Sequence, residues 1–280
     1  MKTISEISEI KNEILGWKSK SFVIGIVPTM GALHIGHESL IKKAKECCDR
    51  VVVSIFVNPI QFGPKEDYSI YPRNLEKDQE ICQLNKVDVI FHPEPEEMYP
   101  DNRYLTVVTP PEFYKDKLCG KTREGHFDGV STVVLKLLNI IQPDKAFFGQ
   151  KDAQQLIIIK KFCRDLNVPV EIIGCPIIRD TDGLACSSRN QYLSQEARQK
   201  ALSLNKVLKT IRELYRSGLR QKDEIFNKAL LELSKGVELE YLYAHDAENL
   251  EILDILKSNS LVAIAARVGG VRLIDNIIIE

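Results

Sequence analysis

Cysteine pairs at metal-knuckle or redox spacing are missing from this chain. Its seven cysteines, Cys47, Cys48, Cys82, Cys119, Cys163, Cys175 and Cys186, are odd in number and include no C-x-x-C. That scatter argues against a disulfide scaffold or a zinc knuckle and for buried thiols in a reducing compartment. An excess of charge is missing too: 38 Lys+Arg stand against 39 Asp+Glu, a formal net charge of −1. No global field therefore draws the protein onto nucleic acid or an anionic membrane, and any polyanion must be gripped locally. No apolar run approaches the roughly 20 residues that cross a bilayer. The opening MKTISEISEI reads as an amphipathic helix rather than a targeting segment. A cytoplasmic protein without nucleic-acid or membrane partners is expected. Internal repeats and low-complexity tracts are absent as well.

What is present is an ordinary globular composition, 44% apolar and 28% charged over 280 residues, enough for one large domain or two modest ones. Isoleucines at 4, 7, 10 and 14 set out the first helix. Apolar runs at Phe22–Val27 and Val51–Val57 read as buried parallel strands, and Leu40, Ile41 and Ala44 mark a helix between them, giving a βαβ unit. The alternation continues with a helix from Asn74 to about Leu84, a strand from Val87 to Phe91 and an extended segment from Tyr104 to Val108. A helix from about Gly129 to Ile141, a strand around Lys145 to Phe148, a helix from Ala153 to Leu166 and a strand from Val170 to Ile173 follow. This order predicts an α/β fold, a Rossmann-like doubly wound parallel sheet. Beyond Arg179 the pattern changes to helices over Ser194–Tyr215 and Gln221–Leu233. Strands follow at Leu239–Ala244, Leu261–Ala266 and Val271–Ile274, the last two joined by a Gly269-Gly270 hairpin. We therefore expect a first domain over 1–178 and a smaller C-terminal α+β lid domain over 179–280.

The most informative stretch is Pro28-Thr29-Met30-Gly31-Ala32-Leu33-His34-Ile35-Gly36-His37. It leaves the carboxyl end of a strand and opens a helix, the place in an open α/β sheet where ligands bind and a helix N-terminus offers unpaired N–H groups to anions. Gly31 and Gly36 let backbone come close to a ligand. His34 and His37 lie three apart, so both rings can face one side of the first turn. The plain reading is ordinary turn glycines and surface histidines; the strand-glycine-helix context favours a phosphate site.

Phe148-Gly149-Gln150-Lys151-Asp152 repeats that arrangement at a second strand. Lys151 offers a point charge to a phosphate and Asp152 a carboxylate to ribose hydroxyls, against the plain reading of a solvated, capped helix start. Gln61, in the loop after Asn58-Pro59, and Gln155, on the helix behind Lys151, are neutral donors for a carboxylate or hydroxyl. Ser187-Ser188-Arg189 supplies two hydroxyls and a guanidinium that suit a triphosphate, or alternatively form a turn cluster. Arg123 offers another cation ahead of His126, which reads as a structural turn residue. His92 and His245 are isolated.

The string P-T-M-G-A-L-H-x-G-H resembles the "HIGH" motif of the nucleotidyltransferase superfamily and, more narrowly, the pantoate–β-alanine ligase family. Phe56–Phe62, Gly125–Val130, Phe147–Gln155 and Ser187–Asn190 follow in that family's order, so the resemblance covers roughly 22–192 with high specificity and the remainder loosely. It implies an ATP-dependent condensation of pantoate with β-alanine through a pantoyl adenylate, releasing AMP and pyrophosphate, with Mg²⁺ on the phosphates and a homodimer as the assembly. The same resemblance implies ATP contacts at Met30, Gly31, Ala32, Leu33, His34, Ile35, Gly36, His37, Gly149, Gln150, Lys151, Asp152, Ile178, Cys186, Ser187, Ser188 and Arg189. Among these His34, His37, Lys151 and Arg189 would be catalytic. Gln61, Gln155 and Arg123 would contact substrate. Two positions depart from the pattern: the family often has Glu at the position of Gln150 and Met or Leu at that of Cys186. A nucleotidyltransferase building a nucleotide cofactor would use His34 and His37 equally well and stays open at this point, as does a binding module without turnover. An aminoacyl-tRNA synthetase fits less well, for want of an RNA platform.

Overall fold

A computed structural model describes residues 1–64 and 66–280, the side chain of Asn102 excepted. The chain divides into two compact units, Met1–Gln150 with Ile158–Pro176, and Lys151–Ile157 with Ile177–Glu280. The break thus falls at Pro176 rather than after 178, and the second unit also takes in Lys151–Ile157, which the sequence reading placed in the first.

The first unit is built on strands β1 (Lys2–Ile4), β2 (Ile24–Thr29), β3 (Arg50–Ile55), β4 (Val89–Phe91), β5 (Lys145–Gly149) and β6 (Glu171–Cys175). They form one parallel sheet in the order β1-β4-β3-β2-β5-β6. Its helices are α1 (Ile7–Lys18), α2 (Ile35–Cys47), α3 (Leu75–Leu84), the short α4 (Pro95–Met98) and α5 (Glu112–Lys115), and α6 (His126–Ile141). Helix α7 (Ala153–Asp165) begins in the second unit's segment and ends in the first. Strands with both faces covered must be apolar throughout, which is why Ile24, Ile26, Val27, Val51, Val52 and Val53 are all buried. One face presents Val27, Val51, Val53 and Ile55 to Leu40, Ile41 and Ala44 of α2 and Cys82 of α3. Helix α6 touches β2 and α1. Pro28 is tolerated in a central strand because the pairing of β2 with β5 stops at Ile26, so no N–H is needed on that side at 28.

The strand order reverses direction between β2 and β5: from β2 the chain adds β3 and β4 on one side, then returns to place β5 on the other. This is a topological switch point, where the loops leaving neighbouring strand ends part and open a crevice.

The second unit holds β7 (Glu238–Asp246), β8 (Ser260–Val268) and β9 (Val271–Ile278), an antiparallel sheet in the order β7-β8-β9, with helices α8 (Gln195–Arg216) and α9 (Lys222–Ala229). Leu204, Val207, Leu208 and Ile211 of α8 share a core with Val262, Ile264 and Ala266 of β8. The Gly269-Gly270 hairpin forms as expected, with φ of 56° and 81°, a pair that only a primed turn with glycines adopts readily.

Three local expectations are corrected. Ile4 lies in β1 rather than in the first helix, because Lys2 N–H donates to Asp88 O and Ile4 O accepts from His92 N–H, and edge pairing overrides helical spacing. The extended segment expected from Tyr104 starts only at Leu105, because Asn102–Tyr104 is a 3-10 turn, and Val108 N–H donates to Thr132 Oγ1. The expected helix over 221–233 closes at Ala229 and continues as a 3-10 turn over Leu230–Glu232.

Candidate active site

The first group of site residues is assembled where β2 ends. Thr29 Oγ1 donates to Ser54 O at 2.7 Å and accepts from Gly31 N–H at 3.1 Å, which starts a tight turn. Gly31 has φ +80°, and a Cβ there would lie 2.9 Å from Asp78 Oδ2 and 3.1 Å from Ile55 Cγ2, so both conformation and space demand glycine. Ala32 follows with φ 51°, itself left-handed. The turn is held in that shape by Asp78 of α3, whose Oδ2 accepts from Ala32 N–H at 2.9 Å and whose Oδ1 accepts from Leu33 N–H at 2.7 Å. Burial pushes the Asp78 carboxyl above its ordinary range, and the two backbone N–H bonds only partly offset this.

His34 is the N-cap of α2. Its Nδ1 accepts from Gly36 N–H at 3.1 Å, and His37 Nδ1 accepts from His34 N–H at 3.3 Å, a reciprocal capping box made of two imidazoles. Backbone N–H can only donate, so in both rings Nδ1 is the acceptor and the ring proton sits on Nε2. The ring centroids are 4.1 Å apart. Two imidazoles locked as Nε2–H donors at a helix N-terminus could serve an anion without either ring carrying a charge.

Beside this turn, a 3-10 turn over Pro59–Gln61 carries the first substrate candidate. Gln61 is buried; its Oε1 accepts from Asn58 Nδ2 at 3.0 Å and its Nε2 lies 3.0 Å from Met30 Sδ. Helix α6 comes so close that a Cβ on Gly129 would lie 2.4 Å from Ile60 O. His126, the first residue of α6, donates from Nδ1 to Gln61 O at 2.8 Å. That fixes its tautomer, and its Nε2 accepts from Arg123 Nη1 at 2.8 Å. Arg123 is also bound to both oxygens of Glu66 at 2.7 Å. Burial acts to raise the Glu66 carboxyl, and the guanidinium outweighs it and holds the group below its ordinary range. The structure thus gives His126 the structural role expected and engages the Arg123 guanidinium with Glu66 and His126.

At the end of β5, Gly149 does not have a positive φ and a Cβ there would meet nothing within 4 Å, so neither turn strain nor crowding calls for glycine. Because β5 is the direct neighbour of β2, Gly149 and Thr29 end adjacent parallel strands at the same edge of the first unit's sheet.

The second unit holds the remaining candidates. Lys151 lies in a 3-10 turn over Gln150–Asp152, and its carbonyl accepts from Asn276 Nδ2 of β9 at 2.9 Å. Burial pulls its ammonium below the ordinary range, with Asp152 and Asp275 opposing the shift in part and Arg189 adding to it. Gln155 sits one turn on in α7, half-buried. Ile178 and Cys186 face one another across a small hairpin, Cys186 N–H donating to Ile178 O at 2.9 Å. Two arginines clamp that hairpin: Arg179 grips the buried Asp275 of β9 at 2.6 and 2.9 Å, and Arg198 of α8 grips Asp180 at 2.7 Å and Asp182 at 2.8 Å. Cys186 Sγ donates to Asp180 Oδ1, and burial pushes the thiol up to about 12, which removes it as a nucleophile. Ser187 then caps the 3-10 turn Ser188–Tyr192, its Oγ accepting from Arg189 N–H. A small cavity is lined by Lys151, Ala185, Ser187, Asn190 and Asp275.

Sequence reasoning missed Asp78, Tyr99, Arg179, Arg198 and Asn276. Asp78 left one usable signal: it shares the buried stripe of α3 with Cys82, and a carboxylate on a helix's core face must have partners. Among the described residues no group of three or more His, Cys, Asp or Glu could hold a metal ion, and no helix is long and apolar enough to cross a membrane.

Comparison with known proteins agrees with the motif resemblance. The family model described as Pantoate-beta-alanine ligase matches residues 2–278. The pantothenate synthetase of Clostridium botulinum (strain 657 / Type Ba4) is 51% identical over 278 residues, covering 99% of this chain and 98% of that protein. Among solved structures, pantothenate synthetase from Thermus thermophilus superposes with a TM-score of 0.91 at 40% identity, over 99% of each chain. Pantoate-beta-alanine ligase from Francisella tularensis, complexed with beta-gamma ATP and beta-alanine, has a TM-score of 0.80 at 39% identity, over 99% of this chain and 97% of that one. The chain belongs to the pantoate–β-alanine ligase family.

Proposed function

We propose that this chain condenses pantoate with β-alanine in an ATP-dependent reaction, through a pantoyl adenylate, to give pantothenate, AMP and pyrophosphate. A carboxylate acylates poorly because oxide would have to leave, and transfer of AMP onto it supplies a good leaving group. In the first half a pantoate carboxylate oxygen attacks the α-phosphorus in line, and the bond to the β-phosphate oxygen breaks to expel pyrophosphate. In the second half the β-alanine amine attacks the acyl carbon, the bond to the AMP oxygen breaks, and the amine loses its proton to water. No side-chain nucleophile takes part, so positioning and charge stabilisation supply the rate.

The observation that carries this reading is the capping box at the end of β2, which fixes His34 and His37 as neutral Nε2–H donors at a helix N-terminus beside Gln61. We assign His34, His37, Lys151 and Arg189 to the phosphates, with Ser187 and Ser188 supporting them. Backbone from Met30 to Gly36, the Gly149–Asp152 turn, Ile178 and Cys186 complete the ATP contacts. Gln61 and Gln155 are assigned to pantoate. Arg123 is moved from direct contact to the support of His126. The groups assigned to the phosphates are neutral or cationic donors, and Asp78 is already bound to Ala32 and Leu33, so the set fits a Mg²⁺ ion held mainly through phosphate oxygens and water. The C-terminal unit as a lid, a homodimer and a cytoplasmic location complete the proposal, on the family's pattern.

The test is to supply ATP, Mg²⁺, pantoate and β-alanine and identify the products. Pantothenate with stoichiometric AMP and pyrophosphate is expected. A product that retains the nucleotide would instead identify a nucleotidyltransferase, and ATP binding without turnover would identify a binding module.

A further inference from the structure

Asn58, Gln61 and Tyr99 are buried together beside the histidine turn, and the chemistry of their contacts fixes the direction of every hydrogen bond among them. Gly129 O can only accept, so the Asn58 atom 3.1 Å from it is the amide nitrogen. The same nitrogen lies 3.0 Å from the Gln61 side chain, whose facing atom must therefore be Oε1. Asn58 Oδ1 is left facing the Tyr99 hydroxyl at 2.8 Å, and that hydroxyl donates. Burial holds the Tyr99 phenol well above its ordinary range, so the proton is always there to give. With Oε1 occupied, Gln61 turns Nε2 towards Met30, on the turn that carries His34 and His37. An amide held this way presents N–H, its oxygen turned to Asn58 Nδ2.

We propose that Tyr99 is a positioning residue for the reaction: acting through Asn58, it locks the Gln61 amide as a donor, so that the site selects a substrate carrying an acceptor oxygen, carboxylate or hydroxyl, at that point. The inference rests on the assignment of Gln61 to pantoate. Tyr99 touches neither substrate nor Gln61 in this scheme. Tyr99→Phe keeps the ring against Phe56 and removes only the hydroxyl, leaving Asn58 Oδ1 buried without its donor and the amide pair held in its direction by Gly129 O alone.

Steady-state kinetics on the full-length enzyme test this. Tyr99→Phe should raise the KM for pantoate about tenfold, the worth of one net hydrogen bond, with kcat and the KM for ATP near wild type. In a Gln61→Ala background the same substitution should add nothing. Asn58→Asp approaches the link from the other side: its carboxylate accepts from Tyr99 but has no proton for Gln61 Oε1, so the pantoate KM should rise at least as far. A wild-type pantoate KM in Tyr99→Phe overturns the proposal, as do additive effects in the double variant or an equal rise in the KM for ATP, which would mark a merely structural residue. If Gln61→Ala itself leaves the pantoate KM unchanged, the assignment of Gln61 falls, a failure distinct from one confined to Tyr99.

Discussion

The two units position their candidate groups by opposite means. In the first, the histidine turn and Gln61 are held by neutral hydrogen bonds and one buried carboxylate: Asp78 on Ala32 and Leu33, the reciprocal caps of His34 and His37, and Asn58 on Gln61. In the second, the hairpin ahead of Ser187 is held by ion pairs, Arg179 with Asp275 and Arg198 with Asp180 and Asp182. A neutral donor set lets a carboxylate nucleophile approach without being neutralised by a tight pair. On the proposed assignment, Lys151 and Arg189 of the second unit suit a departing pyrophosphate. The difference also predicts different failure: neutral networks should lose activity when cut, whereas charged clamps should lose stability.

Four substitutions sharpen or break that contrast, in descending order of effect. His37→Ala should slow pantoate-dependent ATP–pyrophosphate exchange about 100-fold, the roughly 3 kcal/mol of one preorganised donor to the transition state. The fold should survive, since only one cap contact is lost, at about 1 kcal/mol. Unchanged exchange would remove His37 from the chemistry. Arg179→Ala leaves the buried Asp275 without its guanidinium, with the Asn276 N–H still donating to it, and should cost about 3 kcal/mol in urea unfolding. A loss under about 0.5 kcal/mol, the scale of an ordinary surface change, would show that the clamp is not what holds the hairpin.

Asp78→Asn turns an acceptor oxygen into an NH₂ group against a backbone N–H, so either Ala32 or Leu33 loses its partner. A cost of about 2 kcal/mol is expected in unfolding, together with weaker ATP binding by calorimetry; wild-type ATP affinity would mean that the turn keeps its shape unaided. Arg198→Ala should cost about 1 kcal/mol at neutral pH, because its pairs are only partly shielded from water. Burial acts to raise Asp180, but the Arg198 guanidinium holds it below its ordinary 3.8, and the same guanidinium is the main cause of the lowering at Asp182. A depressed carboxylate contributes its stability above the unfolded value and loses it as the pH falls through the folded one. The gap between wild type and Arg198→Ala should therefore be full at pH 7 and close below 3.8; a gap independent of pH would assign the loss to packing.

Much of the fold was legible because strands with two covered faces are continuously apolar and helices with one covered face repeat every three or four residues. The errors came where those rules lose contrast. Three residues at Lys2–Ile4 are too few to show a period, so an edge strand was absorbed into the helix behind it. Among candidate residues, Gln61 could be named from the family resemblance of its motif block, but Tyr99 could not, because nothing near it in the chain says that its hydroxyl reaches Asn58.

By itself the sequence determined the family, from motif blocks in order along the chain, and the strand-turn-helix character of the stretches around Gly31 and Gly149, because each motif depends on residues a few positions apart. Only the tertiary structure decided which atoms of the candidate side chains accept and which donate. Asp78 reaches Ala32 across 46 residues and Tyr99 reaches Asn58 across 41, and contacts of that span are set by the order in which strands pair and helices pack. Hydrogen-bond direction is likewise a property of the assembled neighbourhood: Gln61 is set as a donor because Asn58, oriented by a carbonyl of a distant helix, donates to its oxygen.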